Sequence, residues 1–168
     1  MPTLWIIDGY NFIRQSRRFA ELEAADGAQG REAALRWLGR FQEETGERVR
    51  VVFDAYSGLA REPTVGKKYD VEIWLSRGGY TADEEIVALA QSLGQGCIVV
   101  SSDREVLDGA IRGGASVINS GEFEREVGKV FARDSGAAEH EASTRGKGRA
   151  FQPPKEKKKA FQLLRKYQ

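Results

Sequence analysis

Three short stretches of apolar residues dominate the pattern of the chain, at residues 4–7, 49–53 and 97–100. They are nearly continuous rather than alternating, which is typical of parallel strands that helices cover on both faces. An alternating run over residues 71–75 predicts a half-exposed strand nearer a sheet edge, and residues 116–118 predict a further short strand. The pattern therefore indicates a central, mainly parallel sheet.

Helical periodicity fills the intervals between these strands. Residues 31–45 carry apolar side chains at helical spacing and predict the first helix. Thr81 and Glu84 fit a capping box that opens a second helix, while Ser102 and Ser120 are predicted to cap a third and a fourth. The regular alternation of strands and helices predicts an α/β fold, a three-layer α/β/α sandwich.

The composition changes after Phe131. Residues 132–154 are rich in Ala, Gly, Ser and charged side chains, so they predict a flexible linker. Residues 155–168 form a basic tail in which Phe161, Leu164 and Tyr167 lie among the basic residues, which predicts either a short helix or a basic arm. The sequence thus predicts one domain over residues 1–131, and we expect truncation after Phe131 to leave it folded.

Hydropathy and cysteine usage narrow the class of protein. The longest apolar run, residues 86–90, is far shorter than the ~20 residues of a membrane-spanning helix, so we expect no membrane partner. The single cysteine, Cys97, excludes an internal disulfide and predicts no disulfide-linked partner. These features predict a cytoplasmic protein.

The net charge of +1 conceals two opposed parts of the chain. Residues 1–139 carry 17 lysines and arginines against 23 aspartates and glutamates, a net charge of −6. Residues 140–168 carry 9 against 2, a net charge of +7. The acidic part suits a site that takes a cation, and the basic part predicts attraction to the phosphates of a nucleic acid.

Four aspartates are predicted to meet at one edge of the sheet: Asp8, Asp54, Asp83 and Asp103. Asp8 and Asp54 end the first two strands, and Asp103 follows the 97–100 strand. Asp83 lies in the first turn of a helix, where a carboxylate also stabilises the helix dipole. Ligands of parallel sheets bind outside the carboxyl ends of the strands. Four carboxylates repel one another unless a cation such as Mg²⁺ is bound, and Mg²⁺ with an activated water hydrolyses phosphodiesters.

The segments that carry these acids match a known family. Residues 7–11 (Ile-Asp-Gly-Tyr-Asn), 53–54 (Phe-Asp), 81–86 (Thr-Ala-Asp-Glu-Glu-Ile) and 100–104 (Val-Ser-Ser-Asp-Arg) together resemble the NYN branch of the PIN-like nucleases, specifically the YacP-like group. Residues 120–123 resemble the segment near the C-terminal end of that domain. The resemblance covers about residues 1–131 and implies a PIN-like fold.

This resemblance implies a metal-dependent endoribonuclease that uses Mg²⁺ or Mn²⁺. The metal ligands are expected at Asp8, Asp83 and Asp103, with Asp54 orienting a water. Supporting roles are expected for Asn11, Glu84, Ser101 and Ser102, whereas Glu85 is interpreted as a solvated side chain. Because the YacP-like group includes an endonuclease that acts on messenger RNA in the ribosomal A site, mRNA and the translating ribosome are the implied partners.

Positive side chains near the acids and in the tail are predicted to contact RNA. They are Arg14, Arg17, Arg18, Lys67, Lys68, Arg104, Lys157, Lys158 and Lys159, with the pair at 67–68 placed in a loop after the second strand.

The main alternative is a non-catalytic RNA- or ribosome-binding module with the same fold, because binding and cleavage use the same groove. Two other enzyme classes place acids at strand ends but lack a residue here. A receiver domain needs a lysine after its last strand, where this chain has Asn119 and Ser120. A haloacid-dehalogenase-type phosphatase needs an aspartate two residues after its first, where this chain has Tyr10.

Overall fold

A computed structural model describes residues 2–55, 61–136 and 153–168. Its strands are β1 (Leu4–Asp8), β2 (Arg48–Phe53), β3 (Thr64–Lys68), β4 (Val71–Leu75), β5 (Cys97–Val100) and β6 (Ser116–Ile118). They form one sheet in the order β3-β4-β2-β1-β5-β6. The neighbours are parallel except for β3 and β4, which are antiparallel. The predicted, mainly parallel sheet is confirmed.

The helices of the described residues cover both faces of this sheet. They are α1 (Gly9–Gln15), α2 (Arg17–Ala25), α3 (Gly27–Thr45), α4 (Ala82–Leu93), α5 (Arg104–Arg112), α6 (Ser120–Asp134) and α7 (Lys155–Lys166), with a short 3₁₀ turn at Gly94–Gly96. One core cluster joins the sheet to α1, α2, α3, α6 and α7, and a second joins it to α4 and α5. The three-layer α/β/α sandwich is therefore confirmed.

Strand β1 shows why the apolar runs are nearly continuous. All five of its residues are buried. Trp5 and Ile7 pack into the first core cluster, whereas Leu4 and Ile6 pack into the second, because successive side chains of a strand point to opposite faces. A strand between two helical layers therefore needs apolar side chains on both of its faces.

Two of the predicted helix caps lie one residue away from where they were expected. Asp103, rather than Ser102, caps α5 and accepts hydrogen bonds from the amides of Glu105 and Val106. Asn119, rather than Ser120, caps α6 in a capping box with Glu122. An aspartate or asparagine oxygen can accept from the first-turn amides just as a serine hydroxyl can. Sequence spacing alone therefore does not decide which of two neighbouring residues is the cap.

Three elements of the structure were not predicted from the hydrophobic periodicity of the sequence. Helices α1 and α2 are short, and strand β3 is exposed at every residue, so none of them carries a strong apolar stripe. Lys67 and Lys68 therefore lie in an edge strand paired with β4, and the prediction that they occupy a loop is wrong. Exposed lysines are common on edge strands, where they discourage pairing with other chains.

The basic tail forms helix α7, one of the two forms that the sequence predicted for it. Its residues Ala160, Phe161 and Leu164 are buried in the same core cluster as α6, and the helix packs against the edge strand β6. The hydroxyl of Tyr167 donates to Oε1 of Glu47 at 2.5 Å, which ties the end of the chain to the start of β2. Residues 155–166 are thus a packed element rather than a free arm.

The predicted linker has a helical beginning. Helix α6 continues through Asp134, three residues past the expected end of the domain, while residues 137–152 lie outside the described part of the chain. None of the helices described has the length and apolar character needed to cross a membrane.

Candidate active site at the carboxyl edge of the sheet

The strands that carry the predicted acids end side by side. Ile7 of β1 pairs with Val51 of β2 on one side and with Val100 of β5 on the other. Asp8 is the last residue of β1, Asp54 follows β2 directly, and Asp103 follows β5 through two serines. We call the four aspartates at this edge, Asp8, Asp54, Asp83 and Asp103, the acidic rim.

Asp8 is the most buried member of the acidic rim, with only 5% of its surface exposed. Its Oδ2 accepts a hydrogen bond from the Ser101 hydroxyl at 2.9 Å. The pKa of Asp8 is raised to about 6, chiefly by burial and also by the charges of Asp83, Asp103 and Asp54, against the opposing effect of the hydrogen bond from Ser101. The rim therefore holds a carboxyl group that is poorly solvated and repelled by its neighbours.

Asp54 and Asp83 are joined through the start of α4. Oδ1 of Asp54 accepts a hydrogen bond of 2.7 Å from the backbone amide of Ala82, the first residue of that helix. Asp83 follows in the same turn, and desolvation raises its pKa, with further contributions from Asp103 and Asp54. The end of β2 thus fixes the helix that presents Asp83 to the rim.

Ser101 connects Asp8 to Asp103. The Ser101 oxygen, which donates to Asp8, also accepts a hydrogen bond of 3.0 Å from the amide of Asp103. Asp103 in turn uses Oδ1 to cap α5. Ser101 was predicted to support the site. Its buried hydroxyl orients the carboxylate of Asp8 and the turn that carries Asp103.

Asn11 holds two further loops at the same edge. Its Oδ1 accepts from the amide of Ser102 at 2.8 Å and from the hydroxyl of Ser120 at 2.9 Å. The Ser102 hydroxyl oxygen is buried and has no hydrogen-bond partner among the described residues. Asn11 therefore links α1 to the loops after β5 and β6 by hydrogen bonds. The Ser102 hydroxyl is free to form a hydrogen bond with a ligand or a water molecule.

The two glutamates after Asp83 have different surroundings. Glu84 completes the predicted capping box with Thr81, and both hydrogen bonds of that box are present. The interpretation of Glu85 as solvated is wrong: it is 1% exposed and forms an ion pair with Arg77 at 2.5 Å. The signal for its burial lies in the helical spacing, because positions 82, 85 and 86 share the buried side of α4.

Comparison with known proteins places this arrangement in a family. The model of the family described as the YacP-like NYN domain matches residues 5–166. The chain belongs to this family. The match includes α7, so the tail helix lies within the family domain.

Individual relatives support the same assignment. The YacP protein of Bacillus subtilis (strain 168) is 36% identical over 90 residues, which are 52% of this chain and 51% of that protein, so the match spans about half of that relative's length. A crystal structure of a variant of Rae1 (YacP) from Bacillus subtilis has a TM-score of 0.65, is 28% identical and covers 84% of this chain and 87% of the other. A second crystal structure of Rae1 (YacP) from that organism has a TM-score of 0.63, is 30% identical and covers 80% and 78%.

The fold of the YacP-like NYN family is a nuclease-like, PIN-type α/β fold, which supports an RNase-type function. The acidic rim lies where ligands of such sheets bind, at the carboxyl ends of the strands. Family and geometry therefore direct attention to the same edge of the molecule.

The acidic rim has the donor chemistry of a magnesium site without forming a closed cage. Across residues 2–55, 61–136 and 153–168, no three His, Cys, Asp or Glu side chains converge closely enough to hold an ion. Carboxylate oxygens are nevertheless the donors that Mg²⁺ and Mn²⁺ select, and Mg²⁺ is usually held by one or two carboxylates, with water and substrate phosphate completing its shell. A cation would also offset the repulsion that acts on Asp8 and Asp83.

The basic side chains near the N-terminal helices are exposed and have local partners. Arg14 lies 3.4 Å from Glu23 and above the ring of Tyr10, next to the rim. Arg17 pairs with Glu21, and Arg18 lies over the ring of its neighbour Phe19. Exposed pairs of this kind are worth at most ~1 kcal/mol, so they leave these arginines able to exchange a carboxylate for an RNA phosphate.

The remaining predicted RNA contacts lie on β3, at the start of α5 and on α7. Lys67 pairs with Asp70, Lys68 with Glu32 and Arg104 with Asp108. In α7, Lys157 donates to Glu122 at 3.0 Å and Lys159 to the carbonyl of Gln95 at 2.5 Å, whereas Lys158 is exposed. Two of the three tail lysines thus help to fasten α7 to the domain.

Sequence reasoning missed Arg31, a half-buried residue near the start of α3. It lines a cavity that also includes Asp54 of the acidic rim. Arg31 is 23 residues from Asp54 along the chain, and only the packing of α3 on the sheet brings the two together. No spacing in the sequence marks it.

Proposed function

We propose that this chain is a metal-dependent endoribonuclease whose acidic rim hydrolyses RNA phosphodiester bonds. The natural substrate we propose is mRNA in the A site of translating ribosomes, and the place of action the cytoplasm. The proposal extends the RNase-type function that the family supports by naming a cofactor, a site and a substrate. The observation that carries it is the presence of four aspartates, whose charges act on Asp8 and Asp83, at the ligand-binding edge of a nuclease-like sheet.

The side chains of the rim have distinct tasks in this proposal. Asp8 and Asp103 are the principal metal ligands, and the hydroxyl of Ser101 holds both in place through its two hydrogen bonds. Asp83 shares the ion or holds a second one. Asp54 orients a water from its position at the amide of Ala82.

Mg²⁺ or Mn²⁺, when bound, supplies an activated water and neutralises charge on the phosphate. The protein's own contribution is to keep the buried carboxylate of Asp8 and the neighbouring rim carboxylates at fixed positions, so that little rearrangement is needed when the ion and the RNA arrive. Asn11 contributes indirectly, because it fixes the loops after β5 and β6 on which Ser102 and the start of α6 lie.

The decisive experiment incubates the purified full chain with mRNA, either naked or engaged by translating ribosomes, in Mg²⁺ or Mn²⁺. Asp8→Asn and Asp83→Asn serve as test variants. Asp70→Asn is the matched control, because Asp70 lies in the turn between β3 and β4 at the opposite edge of the sheet. We expect the parent and the control to cleave, and both test variants to lose at least a hundredfold in rate.

The same experiment separates cleavage from binding alone. Absence of cut RNA under every condition, together with retained association with RNA or ribosomes, would establish the non-catalytic binding module instead. Cleavage by both test variants at the parental rate would remove the acidic rim from the mechanism. Cleavage of naked and ribosome-engaged mRNA at equal rates would support the nuclease but contradict the ribosomal substrate.

A further inference from the structure

A cavity of about 310 Å³ adjoins the acidic rim between α3 and the strands β2 and β4. Asp54 is one of its lining residues, so the cavity opens beside the carboxylates. Its volume is at the lower end of the range for small-molecule pockets, which suits a single flat ring system better than an extended ligand. The cavity is distinct from the rim because, apart from Asp54 and Glu32, the side chains that line it are apolar, aromatic or basic.

The floor and walls of the cavity suit a nucleobase. Leu35, Ile73 and Leu75 supply aliphatic surface. Tyr10 and Phe53 supply aromatic surface, with their ring centroids 4.9 Å apart and their planes at 67°. Unpaired bases of single-stranded RNA are commonly recognised by such surfaces, because every base has an apolar face that stacks or packs without regard to sequence.

Four charged residues line the cavity, the basic Arg31 and Lys68 and the acidic Glu32 and Asp54. Arg31 and Lys68 both line it, on α3 and β3 respectively. Lys68 is paired with Glu32, and that pair is exposed to solvent, so a phosphate competes with the carboxylate at little cost. A ligand with an apolar ring and an attached phosphate therefore finds partners for both parts, the apolar and aromatic walls for the ring and Arg31 and Lys68 for the phosphate.

The aromatic wall is also fixed relative to the acids. A Cβ atom on Gly9 would lie 2.4 Å from a ring carbon of Phe53, closer than any real contact, so only glycine allows this ring position. Gly9 follows Asp8 and Phe53 precedes Asp54. The backbone segments that carry two rim acids are thus the segments that hold the cavity wall.

We propose that this cavity binds one unpaired nucleobase of the RNA, with its phosphate near Arg31 and Lys68, while the strand continues across the acidic rim. This inference rests on the proposed function, since it takes RNA as the ligand, and it adds a subsite that positions the strand for cleavage. The ligand class is a nucleoside monophosphate unit, recognised by ring and phosphate rather than by base identity.

The test is a titration of the full chain, followed through methyl resonances in NMR, with the four nucleoside 5′-monophosphates. It is run in EDTA, so that no metal site is involved. We expect the methyl groups of Leu35 and Ile73 to shift with saturable, millimolar affinity, while Val117, in the opposite layer, does not move. Ribose 5-phosphate should produce no such shift. The subsite is refuted if no nucleotide moves these methyls, or if ribose 5-phosphate moves them equally.

A pair of neighbouring variants localises the binding. Ala28 and Gln29 are both exposed and both line a second depression on α3, but only Ala28 also lines this cavity. We expect Ala28→Phe to weaken nucleotide binding about tenfold by filling the cavity, and Gln29→Phe to leave it unchanged. Equal affinities for the two variants would overturn the proposal.

Failure of this subsite and failure of the nuclease can be told apart. The titration measures binding without metal and without cleavage, so nucleotide binding with no RNA cleavage would retain the subsite and reject the catalytic role. Cleavage of RNA by Ala28→Phe at the parental rate and half-saturating RNA concentration would retain the nuclease and reject the subsite. We expect the opposite, an approximately tenfold rise in the half-saturating RNA concentration for Ala28→Phe alone.

Discussion

Replacement of Asp8 by asparagine should stabilise the protein at neutral and alkaline pH. Asp8 is buried, and its pKa is raised from 3.8 to about 6. The carboxyl is protonated in both the folded and the unfolded chain at low pH, so its burial then costs little. Above the folded pKa it is ionised in both states, and the folded state bears the full cost of a desolvated, repelled charge.

The size of this effect follows from the shift. Each unit of pKa corresponds to 1.36 kcal/mol, so a rise from 3.8 to about 6 makes ionised Asp8 unfavourable to folding by about 3 kcal/mol. Asparagine has similar volume and keeps an acceptor for the Ser101 hydroxyl, but it has no charge. The gain in unfolding free energy on Asp8→Asn should therefore be almost complete at pH 8 and largely absent at pH 4.

The assay is urea denaturation of the parent and Asp8→Asn at pH 4 and pH 8, in EDTA. Comparing the two pH values cancels any effect of the amide group that does not depend on pH. We expect the advantage of the variant in unfolding free energy to be about 2–3 kcal/mol larger at pH 8 than at pH 4. Asp70→Asn, exposed and at the opposite edge, controls for the substitution itself. An advantage that is equal at both pH values would refute the electrostatic account of the rim.

Three further predictions concern metal binding at the acidic rim, the hydrogen bonds of Asn11 and the packing of α7. Addition of Mg²⁺ or Mn²⁺ should raise the melting temperature of the parent, measured by calorimetry, and raise that of Asp8→Asn much less, because a bound ion stabilises the fold by mass action. Asn11→Ala should lower the unfolding free energy by about 1–3 kcal/mol in urea denaturation, since it leaves two donors without their acceptor. Leu164→Ala, at a fully buried position of α7, should cost about 2–5 kcal/mol in the same assay, and truncation after Phe131 should cost more. A stability change below about 0.5 kcal/mol in either Ala variant would contradict the packing described.

The sheet and its acidic edge were accessible from the sequence because they depend on strong, local signals. The strands of the interior must be apolar on both faces, and an aspartate directly after such a strand is conspicuous. Asp8 and Asp54 were placed by this argument, and Asp83 by its capping box. The topology of parallel strands then brings these residues to one edge without any knowledge of the loops.

The helix caps mark a limit of that approach. The two serines predicted as caps, Ser102 and Ser120, both lie beside the real caps and both interact with Asn11 instead. Several neighbouring side chains can satisfy the same first-turn amides, and only tertiary contacts decide which does. Ser102 contacts Asn11 through its backbone amide and Ser120 through its hydroxyl, and both contacts hold the loops in which the serines lie.

The tail illustrates a different limit. Its lysines dominate the composition, so residues 155–168 resemble a solvated basic segment, yet Phe161 and Leu164 are spaced to bury one side of a helix. Whether that side is covered depends on the edge strand β6 and helix α6, which lie far away in the sequence. Because α7 packs into the core, the structure leads us to predict that truncation after Phe131 destabilises the domain.

The most direct test of the central claim, that the acidic rim cuts RNA with the help of a divalent ion, is the single-turnover rate of RNA cleavage as the metal is removed and restored. The account predicts no cleavage in EDTA, recovery on addition of Mn²⁺ or Mg²⁺, and at least a hundredfold lower rate for Asp83→Asn at saturating metal. Cleavage that persists in EDTA, or an Asp83→Asn variant that cuts at the parental rate, would contradict it.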